Sequence, residues 1–124
     1  MITIALVGRK VFVDNLVATL PEIEHTKAEI LTFGWQDDNL NQDKFQQQVL
    51  EQVRDKEEVL FLIDLWGGRA FDVISLIVAE HNNMGLITGL NLPMLIEACS
   101  MYGEKLSTAM EDVETIAKNN IKGF

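Results

Sequence analysis

Glu58-Val59-Leu60-Phe61-Leu62-Ile63-Asp64-Leu65-Trp66-Gly67-Gly68-Arg69-Ala70-Phe71 decides how the chain reads. An apolar run of strand length ends in an aspartate, two glycines follow, and a helical segment begins. A short unbroken apolar run bounded by turn signals is the pattern of a strand buried on both faces. Open α/β sheets place their chemistry at the carboxyl ends of such strands, so Asp64 falls where a functional carboxylate is expected. Gly67-Gly68 lets the backbone turn sharply and brings bare amides close to whatever sits there. The helix that follows points its positive dipole end at the same spot. Two readings stay open at this point: an anion-handling corner, or a plain strand–helix turn with an aspartate at its start.

Outward from this stretch, strands alternate with helices. Residues 2–8 read as a first strand ending in Gly8-Arg9-Lys10, and residues 11–20 as a helix with Val13, Leu16, Val17 and Leu20 on one face. Pro21 stops it. Residues 28–35 form the second strand, with Ile30 and Phe33 inward, and Asp37-Asp38-Asn39 marks a turn or helix cap. Residues 41–54 form an amphipathic helix with Phe45, Val49 and Val53 inward and a glutamine-rich solvent face. The third strand spans residues 59–64, and the helix over 71–79 is apolar almost all round. That helix is expected to be buried on two sides, one on the sheet and one available to a second subunit. Residues 84–90 give a fourth strand, and Gly103 splits two helices at 92–101 and 104–120. Leu106, Met110, Val113 and Ala117 make the inner stripe of the last helix. This alternation predicts a mainly parallel sheet with right-handed crossovers and helices on both faces, a three-layer α/β fold.

A length of 124 residues suits one domain over residues 1–124 with a real core. No apolar run is long enough to span a bilayer, and Met1-Ile2-Thr3-Ile4 reads as strand rather than leader. The single cysteine, Cys99, excludes an intrachain disulfide, fits a reducing cytosol and lies on the apolar side of a helix as core filler. A net charge of −9 argues against nucleic acid or an anionic membrane as partner. It also makes any local cluster of cations informative. No Rossmann fingerprint, P-loop or zinc spacing is present, so no cofactor and no metal is expected.

Leu62-Ile63-Asp64-Leu65-Trp66-Gly67-Gly68-Arg69-Ala70-Phe71 resembles the "LxDxWGG[ST]PFN" stretch of the mannose/fructose/sorbose-type enzyme IIA subunits of the sugar phosphotransferase system. Ile87-Thr88-Gly89-Leu90-Asn91-Leu92-Pro93-Met94-Leu95-Ile96-Glu97 is similar to that family's "GxNxPMLxE", at the family's spacing. The resemblance implies a strand order of 2-1-3-4 and a homodimer in which a fifth, antiparallel strand crosses from the partner. Only Ile121-Lys122-Gly123-Phe124 follow the last helix, a short tail for such an exchange. The resemblance also implies a cytoplasmic protein, peripheral to a membrane transporter, with HPr and enzyme IIB or the transporter complex as partners. Its activity would be phosphoryl carriage on a histidine just after the first strand.

On that alignment Lys10 stands at the phosphohistidine position, with Arg9 before it, while Asp64 matches the carboxylate that orients the histidine. Arg69 replaces the family's Ser/Thr, Ala70 its Pro and Asp72 its Asn. Phosphohistidine transfer needs a neutral imidazole nitrogen, and a lysine ammonium has no lone pair. His25 and His81 both precede strands, so they are expected on the opposite, amino-end face. No catalytic set is therefore intact. Arg9, Lys10 and Arg69, with the Gly67-Gly68 amides, are instead candidates for an anion site holding phosphate, a phosphosugar or a phosphorylated partner side chain. Trp66, Asn91 and Pro93 would wall it. The competing reading is an idle crevice with its cations solvated, or with Lys10 paired to Asp64. The expected function is a binding or regulatory enzyme IIA-like subunit; the alternative is an active carrier from HPr to enzyme IIB.

Overall fold

The computed structural model describes residues 1–20, 27–36 and 41–124. The expectations for Pro21, His25 and the Asp37-Asp38-Asn39 cluster lie outside the described residues. Nine elements follow in order: β1 (Ile2–Arg9), α1 (Lys10–Ala18), β2 (Ile30–Trp35), α2 (Gln42–Val53), β3 (Glu58–Ile63), α3 (Arg69–Ala79), β4 (Met84–Thr88), α4 (Leu92–Ser100) and α5 (Leu106–Asn119). The strands form one parallel sheet in the order β2-β1-β3-β4.

The period-2 alternation of strand side chains divides the core in two. Ile2, Ile4 and Leu6 of β1 and Leu60 and Leu62 of β3 face α1, α4 and α5. Ala5, Val7, Val59, Phe61 and Ile63 face α2 and α3. Crossovers of one hand, running from β1 out to β2 and then back past β1 to β3 and β4, put α1 on one face and α2 and α3 on the other. The three-layer architecture follows from that reversal.

Several boundaries differ from the sequence reading. β1 runs on to Arg9, which pairs in register with Trp35, and α1 starts at Lys10 with no residue between. β2 starts two residues later than expected, and Ile30 is only half-buried, whereas Phe33 and Trp35 are buried. α3 begins at Arg69 because Gly68 already serves as its N-cap. It buries one face, Ala70, Val73, Ile74 and Ile77, while Leu76 on the other side is 59% exposed. β4 ends at Thr88 because Gly89 turns away at φ +83°. In α5 the buried stripe is Leu106, Ala109, Val113 and Ala117. Met110 is half-buried and lies over Gly85, where a Cβ would collide with its sulfur.

At the amino end of the sheet a polar clamp joins three segments. Lys56 Nζ lies 2.8 Å from Glu29 Oε1, which also accepts from Thr3 Oγ1 at 3.0 Å. The hydrogen bond from Lys56, then that from Thr3, holds Glu29 below the usual carboxylate range. The same bond to Glu29 holds Lys56 above the usual ammonium range. A depressed carboxylate lends stability above its unfolded pKa and loses it as pH falls. A raised ammonium lends stability below its unfolded pKa and loses it as pH rises through the folded value. The clamp is therefore at full strength between the ordinary values of the two groups, 4.5 and 10.5. Glu29→Gln is expected to melt slightly lower at neutral pH, with the deficit shrinking in acid; thermal melts at stepped pH check this. The effect is small because the Glu29 side chain is 50% exposed.

Candidate functional site

The chain reverses its direction of travel across the sheet at β1, so the carboxyl ends of β1 and β3 form the switch-point crevice. Asp64 is the first residue past β3, and its backbone amide still bonds to Val7 O at 3.1 Å. Its Oδ1 accepts from the Leu65 amide at 2.8 Å. Its carboxylate leans over β1, where a Cβ on Gly8 would stand 2.9 Å from Cγ and Oδ2. A bare Cα at position 8 is thus the floor on which the carboxylate rests.

Lys10 does not take the partner that the idle-crevice reading offers. It does not pair with Asp64. Its Nζ bonds Asp14 Oδ2 one helical turn along α1. The spacing i,i+4 is the ordinary geometry of a helix-surface ion pair. Residue 10 also leans over β2, because a Cβ on Gly34 would stand 2.8 Å from Lys10 Cα. Arg9, exposed at the end of β1, is the N-cap of α1 and does not cap it through its side chain. Arg69, also exposed, opens α3, whose N-cap Gly68 has no side chain to offer. The crevice thus faces two helix N-termini whose N-cap residues give no side-chain capping bond, with a cation at each start.

Only one of the two loop glycines needs to be glycine for conformational reasons. Gly67 has φ +74°, whereas Gly68 is extended, as any residue can be. Trp66 is 75% exposed and stacks on Phe71, with centroids 4.5 Å apart. Asn91 spends its side-chain oxygen capping α4, accepting from Met94 N at 2.9 Å, and Pro93 sits in the first turn of that helix. Both belong to the α4 start before they belong to any crevice wall. Trp66 and Asn91 also line a groove of about 430 Å³ along β4, with Ile87, Met94, Met110 and Ile121. β4 pairs only with β3 among the described residues, so this edge is open. Asp14 and Gly34 were missed in the sequence. Asp14 was visible as an acid four residues after Lys10, and Gly34 as a glycine inside a strand, a sign of close backbone approach.

His81 lies at the opposite end, closing α3 with Nδ1 2.7 Å from Ile77 O, just before β4. Among the described residues no group of three or more His, Cys, Asp or Glu side chains could hold a metal ion. Likewise, no helix is long and apolar enough to cross a membrane. Cys99 is buried in the α4 side of the core.

An open 2-1-3-4 parallel sheet, with a carboxylate and two helix starts at its switch point, defines an open α/β protein with its site at the carboxyl ends of the strands. A sequence model of the PTS system fructose IIA component matches residues 11–117, and the chain belongs to this mannose/fructose-type enzyme IIA family. It is 37% identical over 60 residues to the fructose-specific EIIA component of Bacillus subtilis, covering 48% of this chain and 40% of that one. It is 49% identical over 39 residues to the mannose-specific EIIAB component of Escherichia coli K12, covering 32% of this chain and 12% of that one. The crystal structure of a phosphotransferase system component EIIA from Streptococcus agalactiae superposes with a TM-score of 0.89 at 26% identity, over 100% of this chain and 98% of that one. The mannose/sorbose specific IIA subunit of Enterococcus faecalis shares the fold, with a TM-score of 0.82 at 19% identity over 98% and 93% of the two chains.

Proposed function

We propose that this chain, acting as one domain over residues 1–124, is an enzyme IIA-type subunit that carries no phosphoryl group of its own. It works as a binding and regulatory module toward HPr and enzyme IIB or the transporter complex, in the cytoplasm or at a membrane-bound transporter. The observation that carries this reading is Lys10: at the position where the family's phosphohistidine is expected stands an ammonium bonded to Asp14. Around the crevice the chain exposes Val11 (69%), Leu65 (65%) and Trp66 (75%). An apolar rim about a cationic centre suits a protein surface bearing an anion better than free solvent. The open edge of β4 and its groove are where a homodimer partner would add a strand.

Arg9, Lys10, Gly67, Gly68 and Arg69 form the anion site in this reading, with phosphate as the shared chemistry of its ligands. Asp14 is then a built-in competitor for Lys10. Titrating inorganic phosphate and following amide resonances tests it. Arg69→Ala is expected to weaken binding about fivefold and Asp14→Asn to strengthen it about fivefold, each worth roughly 1 kcal/mol for one exposed charge. Indifference of phosphate affinity to both changes would remove the anion site from the reading.

A further inference from the structure

The two charged positions at the crevice, Lys10 and Asp64, do not meet, and two glycines account for it. Asp64 follows β3 and rests on Gly8 of β1; Lys10 follows β1 and rests on Gly34 of β2. Gly8 and Gly34 are themselves register partners across the β1–β2 ladder. Each charged residue therefore leans one strand toward β2, onto the bare Cα of its neighbour. The contacts differ in kind. At Gly8 the obstacle to a methyl is the Asp64 side chain, with Cγ and Oδ2 both at 2.9 Å. At Gly34 it is backbone, Lys10 Cα at 2.8 Å. A side chain can rotate away; the first residue of a helix cannot move alone. α1 is pinned from below by Val13, fully buried in the core formed with β1, β3, α4 and α5.

We infer that Gly8 and Gly34 are positioning residues of the crevice, Gly34 setting where residue 10 stands and Gly8 setting where the Asp64 carboxylate lies. Neither carries a functional group, and neither touches a ligand in this role. The inference rests on the crevice as the working site, but its geometry is independent of what binds there. A methyl at position 34 tilts the first turn of α1 and carries the Lys10–Asp14 pair with it. A methyl at position 8 turns Asp64 and leaves α1 where it is.

The test is a comparison of Gly34→Ala and Gly8→Ala by amide and side-chain resonances of the ligand-free protein. Gly34→Ala is expected to shift the signals of Lys10 to Val13 and of the Asp14 carboxylate, leaving Asp64 and Leu65 nearly unmoved. Gly8→Ala is expected to do the reverse. A lower melting temperature for Gly34→Ala with the Lys10 to Val13 signals unchanged would show a merely structural glycine and overturn the assignment. Movement of both sets in Gly8→Ala, or no movement of Asp64, would overturn it too, and this variant decides the matter alone if Gly34→Ala does not fold. Phosphate binding is not among the readouts, so failure of the anion site leaves this result standing, and the converse.

Discussion

Incubated with phosphoenolpyruvate, enzyme I and HPr, the native chain is expected to keep its mass, while Lys10→His gains one phosphoryl group. The chemistry is set by the nucleophile. An ammonium bonded to Asp14 has no lone pair to attack phosphorus, whereas a neutral imidazole has one. The rest of the arrangement remains ready. Asp64 keeps a carboxylate oxygen over Gly8, Oδ1 is anchored to the Leu65 amide, and both helix starts face the crevice. Adding Asp64→Asn to the Lys10→His background is expected to slow transfer by at least about 10²-fold, the scale of losing a positioned acid–base partner. Intact mass under neutral conditions reads all three proteins. Phosphate on the native chain would overturn the proposed role in favour of an active carrier, and mapping it to His25 or His81 would identify the acceptor. No gain in Lys10→His would instead show that HPr does not dock here.

The largest expected loss of stability is at Phe61. It sits mid-way along β3, between β1 and β4, and is fully buried against α2 and α3. Phe61→Ala removes a ring from a layer that has no room to collapse, since the strand is held by ladders on both sides. The expected cost is about 3–5 kcal/mol, a large part of the 5–15 kcal/mol that keeps a typical domain folded. Urea unfolding should show the midpoint fall by roughly 2 M with little change in slope. Leu76→Ala, on the exposed side of α3, is the control and should lie within about 0.5 kcal/mol of the native chain. A small effect at Phe61 would mean that the core on the α2/α3 face is looser than its burial shows.

Much of this architecture was legible because one signal dominates each strand. The apolar run through Ile63 and its abrupt end at Asp64 marked β3 and the site together. Lys10 was harder. The pairing with Asp64, one of the alternatives for it, crosses the sheet, whereas the helix supplies Asp14 at closer range. A strand passing into a helix without a loop made this possible, since residue 10 is already helical. The stripe of α5 was misread by one position because Met110 looked like core by type. Gly85 leaves a hollow that takes its side chain while Ala109 occupies the centre. Asn91 and Pro93, expected as crevice walls, have a second role that the motif did not announce: Asn91 caps α4 and Pro93 sits in its first turn. Side-chain type marks which residues are used, and backbone geometry decides for what.

The absence of any linker between β1 and α1 has a consequence for how this region can change over generations. Position 10 accepts a different residue at little structural cost, as its exposed side chain shows. It does not accept a different count. Each residue of an α-helix advances the rotation by about 100°, so one inserted or deleted residue at the junction would swing Val13 out of the core and put Phe12 or Asp14, respectively, in its place. The crevice is therefore free to exchange one chemistry for another by single replacements, while its length is locked from both ends.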